Sequence, residues 1–288
     1  GYNMEEYYFL FLLGLLWCIF ATVQDLRKRE IANWLNFSMI IFALAYRAFY
    51  SIEARDGGDF FLFGLGGFGI FFLLANLLYY GRAFAGGDAK LLMGFGALLP
   101  FESINDLLFV SAGFILLLFF IGAIFSLVYS IYLVYFNQRK FRLVFVRDLK
   151  KYRKLFLLVL LLSFTFFIIS IVEKFGLEFW LIASVLLFLL ALMYIYLKAV
   201  EESCLIVLVD SKALCEGDWL ERDIKVGGKV IKKSVHGLSA EEIKLLRKYE
   251  KKVWIKQGAP FGPAFLISLL IMGAGYLFSI DLLSFFVR

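Results

Sequence analysis

The sequence predicts a mainly α fold, a polytopic membrane helix bundle of about eight spans that carries a small cytoplasmic α+β domain. Three observations predict it. The 288 residues are 62% hydrophobic with a mean hydropathy of +0.84, well above the apolar share of a soluble globule. Apolar runs of membrane-crossing length recur along the chain. The Lys and Arg residues gather in some of the segments between runs and avoid others, the asymmetry that orients membrane proteins.

The first run, 7–24, ends at Asp25 and the basic cluster Arg27, Lys28 and Arg29. Its flanks, acidic Glu5 and Glu6 before and basic residues after, argue against a cleavable signal peptide. The second run, 31–50, leads to an acidic-leaning loop with Glu53, Asp56 and Asp59, and the third covers 60–80. The fourth, 88–99, is short. Its twelve residues reach only about 18 Å against a hydrocarbon core of about 30 Å. Its start, at Asp88, is therefore expected below the interface, in a wet, enclosed pocket. A fifth run reaches residue 136, and a strongly basic loop, 139–154, follows it. Runs at 155–172 and 179–200 form a helical pair, and 264–286 closes the chain behind Pro260-Phe261-Gly262-Pro263.

Between 201 and 258 the composition is that of a small soluble unit. Residues 205–209 and 253–255 read as strands, and Gly227-Gly228 as the turn of a hairpin. Ser239 with Glu242 forms a capping box ahead of a helix over 243–249. The chain thus divides into a membrane core that carries Asp25 and Asp88 (4–136), a basic loop with an additional helical pair (137–200), the soluble domain (201–258) and a C-terminal membrane helix (259–288).

Eight spans place the segments around Asp25, Asp88, 139–154 and 201–258 on one face. These hold nearly all the Lys and Arg, so that face is expected to be cytoplasmic and both termini outside. The net charge of +6 is then a topology signal, and no nucleic-acid partner is expected. Cys18 lies in a span, and Cys204 and Cys215 show no metal-ligand spacing, so neither a structural zinc nor a disulfide framework is supported.

Two acids stand out, because an ionisable group at membrane depth is costly and functional by default. An Asp after Gly-Gly and before an apolar helix is also the expected N-cap, and considered alone Asp88 reads that way. Asp25 alone reads as a partner of Arg27 or Arg29. Two acids at one membrane face shift the reading to chemistry. Neighbouring carboxylates cannot both ionise cheaply, so a pair shares a proton. One member can then take a proton from water while the other polarises a scissile carbonyl. Gly86 and Gly87 would let substrate backbone approach, with Lys90 beside them.

Val23-Gln24-Asp25-Leu26-Arg27 through Arg29-Glu30-Ile31, with Gly87-Asp88-Ala89-Lys90-Leu91-Leu92, resembles the two aspartate motifs of the GxGD membrane aspartyl proteases. Within that group the chain is most similar to archaeal preflagellin (prearchaellin) and prepilin peptidases, relatives of the bacterial type IV prepilin peptidases. The run from Met93 to Pro100 also resembles the family's fourth helix, and the strong similarity covers roughly 4–100. The resemblance implies an aspartic endopeptidase of the cell membrane with Asp25 and Asp88 as the catalytic pair. It implies a preflagellin or prepilin-like precursor as partner and neither metal nor organic cofactor. Its substrate-binding positions would be Gly86, Gly87 and Lys90. The first glycine of the G-x-G-D pattern is Ala85 here, and the helical pair at 155–200 is an addition to the usual six-helix plan.

Other signals have simpler explanations. Gly64-x-Gly66-x-x-Gly69 spells a dinucleotide fingerprint but lies inside a span with no strand before it, where close helix packing accounts for it. His236, the single histidine, reads as a solvated loop residue. The basic loop sets topology and can touch anionic lipid. A different function class, a transporter moving protons or cations through the same two acids, is the alternative. A scaffold with a docking domain is a third, distinguished by its indifference to loss of both acids.

Overall fold

In the computed structural model, which describes residues 4–81, 83–172, 177–234 and 237–277, the apolar runs fold as helices. In order they are α1 (Met4–Lys28), α2 (Asn33–Ala54), α3 (Asp59–Tyr80), α4 (Gly86–Leu98), α5 (Ile104–Phe136), α6 (Gln138–Lys151), α7 (Arg153–Val172) and α8 (Leu177–Val200). A small β-rich unit follows, and α10 (Gly262–Leu277) closes the described chain.

Among the described residues, α1, α2, α3, α5 and α8 are each long and apolar enough to cross a membrane, and α6 with α7 adds a sixth candidate as one broken span bent by 71°. This is fewer than the eight expected. The short helix α4 does not reach, and the expected last span runs beyond the described residues. A second difference concerns 139–154. It is helical, not a loop, because Phe141, Val144, Phe145 and Leu149 recur at helical spacing among the charges.

The core gathers around α4, whose residues from Leu91 to Leu98, Met93 apart, are buried against α2 and α3. The approach of α3 to α4 requires glycine at both contact points. A Cβ on Gly96 would sit 2.5 Å from the Gly67 carbonyl oxygen, and one on Gly67 would strike Phe101 and the Gly96 carbonyl. Small residues permit such backbone contact between membrane helices. Gly64 makes room for the Arg47 side chain and Gly66 meets Leu107. Two of the three fingerprint glycines therefore serve packing, while Gly69 faces open space.

Arg47 is fully buried on α2 and was not singled out from sequence. Its guanidinium donates to the carbonyls of Ala97 (2.8 Å), Leu99 (2.5 Å) and Phe60 (3.0 Å) and lies 4.5 Å from the Phe60 ring centre. Two of these carbonyls end α4, where the last turn of any helix lacks intrahelical donors and carries partial negative charge. Arg47 thus caps a 13-residue helix that stops inside the protein.

The small β-rich unit follows its sequence signals. Strands β1 (Ile206–Val209), β5 (Val253–Lys256) and β2 (Trp219–Leu220) form an antiparallel sheet in the order β1-β5-β2. A separate hairpin joins β3 (Ile224–Val226) to β4 (Lys229–Ile231). Gly227 and Gly228 have φ of 56° and 79°, the left-handed pair that a two-residue hairpin turn demands. Helix α9 (Ala240–Lys248) begins at the Ser239–Glu242 capping box, and its Ile243 and Leu246 bury against Val226, Ile231 and Val253. Strand β2 went unpredicted because two residues carry no periodicity. His236 lies outside the described residues.

Candidate active site

Asp25 sits in the last two turns of α1 and is 6% exposed. Its Oδ2 accepts the backbone N–H of Gly262 at 2.7 Å, and the Phe261 N–H donates to the same carboxyl. Both amides belong to the start of α10, where unpaired N–H groups and the helix dipole favour an acid. Glycine is needed for this approach. A Cβ at 262 would lie 3.1 Å from Asp25 Oδ2 and 3.1 Å from Thr22 Cα. The Phe261 ring fits where Gly122 has no side chain and packs 5.0 Å from Phe84, the residue leading into the α4 turn. The end of α1 and the starts of α10 and α4 are thereby brought to one place.

Gln24 and Arg29 fix the turn after Asp25. Gln24 Oε1 accepts the Ala32 N–H at 2.9 Å ahead of α2, and Arg29, in the left-handed region at φ 58°, donates to the Gly258 carbonyl and the Tyr129 hydroxyl. The Gly258 contact links this turn to the end of the soluble unit.

Asp88 stands at the third position of α4, not at its N-cap, which is Ala85. Its carboxyl accepts the Ala85 N–H, the reach-back bond that acids at this position make. Ala85 has φ −71° and ψ 161°, an extended conformation that alanine adopts freely, so the departure from the glycine pattern carries no strain. The Asp88 and Asp25 carboxyls interact electrostatically across the junction. The structure therefore brings the two acids together, with Gly87 between Asp88 and α2. The Gly87 carbonyl accepts from Asn36 Nδ2 at 3.4 Å, and a Cβ at 87 would meet Ile31 Cβ at 3.3 Å. Gly86 has only the Tyr79 ring nearby, 3.7 Å from where a Cβ would be. Lys90 Nζ donates to Asn33 Oδ1 at 2.6 Å and so ties α4 to the first residue of α2.

Phe261, Gly262 and Asn36 were missed as site residues. The first two carried a signal, since proline just inside a helix start marks an N-terminus, and the span count puts the start of α10 on the same face as Asp25. Asn36 carried none; a single amide inside an apolar run gives no direction. Cys18, Cys204 and Cys215 are free thiols, and no cluster of three His, Cys, Asp or Glu able to hold a metal occurs among the described residues.

A helical bundle with several helices long and apolar enough to cross a membrane, in which the first and fourth helices bring two aspartates within electrostatic reach of each other, narrows the class of protein. Comparison with known proteins narrows it further: residues 12–131 match the type IV leader peptidase family. The chain is 33% identical over 135 residues to a preflagellin peptidase of Methanococcus voltae, 43% of this chain and 56% of that protein. It is 34% identical over 90 residues to a preflagellin peptidase of Methanocaldococcus jannaschii, 31% of this chain and 38% of that protein. It is 29% identical over 164 residues to a prepilin peptidase (EppA) of Methanothermobacter thermautotrophicus, 52% of this chain and 42% of that protein. In each case the chain covers less than two thirds of the relative's length. The family resemblance carried by the two aspartate motifs is thus met.

Proposed function

We propose that this chain is a membrane aspartyl endopeptidase that removes the short basic leader of preflagellin or type IV prepilin-like precursors at the cytoplasmic face of the cell membrane. The observation that carries the reading is that Asp25 and Asp88 lie within electrostatic reach of each other where α1, α4 and α10 meet. One carboxylate of the pair takes a proton from water as its oxygen bonds to the scissile carbonyl carbon. The other, protonated, gives its proton to the carbonyl oxygen. Collapse of the resulting diol breaks the C–N bond, the amide nitrogen leaves protonated, and the pair again holds one proton. No metal or organic cofactor enters these steps. The amides of Phe261 and Gly262 position Asp25, and Gly86 and Gly87 offer a surface without side chains for the precursor backbone. In this reading 4–136 is the catalytic core, the precursor's apolar segment lies along its helices in the bilayer, and its basic leader remains on the cytoplasmic side.

The face of cleavage is testable in sealed vesicles. A precursor added outside should be cut by vesicles with the cytoplasmic face outward and spared by right-side-out vesicles until they are permeabilised. Faster cutting by intact right-side-out vesicles would invert the topology.

A glycine series tests the substrate and positioning roles. Neither Gly86 nor Gly87 has positive φ, so alanine at Gly86 should change stability by less than about 1 kcal/mol, while the methyl of Gly87→Ala meets Ile31 at 3.3 Å and should cost somewhat more. Cleavage should nonetheless fall for Gly87→Ala if the precursor backbone lies there, while Ala85→Gly should leave it unchanged. Gly262→Ala pushes a methyl against Asp25 and should cost about ten-fold or more in kcat through misplacement of the carboxyl. Cleavage that declines only in step with thermal stability would remove both roles.

A further inference from the structure

Helix α6 does not resemble a simple solvated connector. It leaves α5 beside exposed Tyr132, Tyr135 and Phe136, aromatic residues of the kind that settle at the headgroup level. It then meets α7 at 71°, so it runs across the direction of the apolar helix rather than along it. Its inner side packs on α8, with the Phe141 ring 5.7 Å from Tyr196. Its outer side is mixed. Arg139, Leu143, Val146 and Lys150 recur at helical spacing on one exposed stripe, with Lys140 and Arg142 beside it and Leu143 74% exposed.

The nearby acids are already committed. Asp148 is 2% exposed and pairs with Arg147 at 2.8 Å, and Arg147 also holds Glu202. Glu201 pairs with Lys256 at 2.6 Å and Lys198 at 3.6 Å. Among the described residues, Arg139, Lys140, Arg142 and Lys150 have no carboxylate partner. Topology alone explains the charges but not two large apolar side chains set among them on the outer face. A basic helix with such a stripe suits the boundary between headgroups and acyl chains.

We propose that α6 is a membrane-surface helix whose outer face binds the phosphate-bearing headgroups of anionic lipids. Arg139, Lys140, Arg142 and Lys150 take the headgroup charge, and Leu143 and Val146 enter the acyl boundary. Through the Arg147–Glu202 pair the same helix fixes the segment from which the soluble unit starts. The inference requires the apolar helices to lie in a bilayer and does not require the chain to be a peptidase.

The test uses the full chain with Leu143→Cys carrying a fluorophore, in a background of Cys204→Ser and Cys215→Ser; Cys18 is buried and stays. The protein is reconstituted in vesicles of constant composition in which either phosphatidylglycerol or phosphatidylcholine bears brominated, quenching chains. Brominated phosphatidylglycerol should quench preferentially, by about five-fold in local enrichment if even one basic residue's interaction with an anionic surface is expressed. Changing Arg139, Lys140, Arg142 and Lys150 to Gln should bring the ratio to unity, while Arg139→Lys with Arg142→Lys should preserve it. Salt that shortens the Debye length should lower it. Equal quenching by both lipids in the parent protein, or an unchanged preference in the Gln variant, would overturn the proposal. So would loss of quenching by both lipids as the protein-to-lipid ratio rises, which would show a second copy of the chain covering this face.

Discussion

Asp25→Asn and Asp88→Asn are each expected to lower cleavage of a preflagellin-type precursor by on the order of 10²–10⁴-fold, the range that a positioned acid or base supplies. Neither change should unfold the protein. An Asn oxygen at 25 can still accept the Gly262 N–H, and one at 88 can still accept the Ala85 N–H, so the hydrogen bonds that hold both side chains survive. The effects should not add, because two groups that share one proton act as a unit; the double variant should cleave about as poorly as either single one. Rate measurement beside thermal unfolding in detergent checks this. Substantial cleavage by either single variant would remove that aspartate from the chemistry.

The largest effect on stability is expected at the other end of α4. Arg47→Leu removes the donors of three carbonyls that have no route to water and takes away the cation at the α4 C-terminus. Truncating one partner of such a buried charged network costs about 3–5 kcal/mol. Arg47→Lys should recover part of this, since an ammonium keeps the charge but lacks the planar fork that reaches three oxygens at once. Chemical unfolding in detergent measures both. Activity should decline only with the folded fraction, because Arg47 lies about nine helical residues, or about 14 Å, along α4 from Asp88. Unchanged stability in Arg47→Leu would mean that α4 ends without this cap.

Where a feature is encoded locally, the sequence displays it. The Gly227-Gly228 turn, the Ser239–Glu242 box and the apolar runs each rest on rules that operate within a few residues, and each reappears in the structure. The nearness of the two aspartates was legible because span parity, read from the sequence, expects them on one face. What holds them was not. The bond from Gly262 to Asp25 joins residues 237 apart, and no local rule connects them. Arg47 escaped notice for a related reason: a lone cation in an apolar run suggests function by default, whereas its use here depends on a helix fifty residues away. The role of Asp88 shifted from N-cap to third helical position because α4 starts three residues before the expected point, with Gly86 and Gly87 taken into its first turn. The helical character of 138–151 was readable in the spacing of Phe141, Val144 and Phe145 but was masked by charge density. The short run at α4 differs from the other apolar runs because it is held inside the bundle by glycines, Arg47 and the Pro100 break.

The measurement that bears most directly on the central claim is mass spectrometry of a precursor after incubation with the purified protein. A preflagellin and a prepilin, each with its basic leader, would be offered separately in detergent or reconstituted bilayers. The account predicts a single new N-terminus at the junction between the leader and the apolar segment, formed by the parent protein and absent with Asp25→Asn or Asp88→Asn. Intact precursors after prolonged incubation with folded protein, or the same product from both aspartate variants, would contradict it and turn attention to ion transfer through the acid pair.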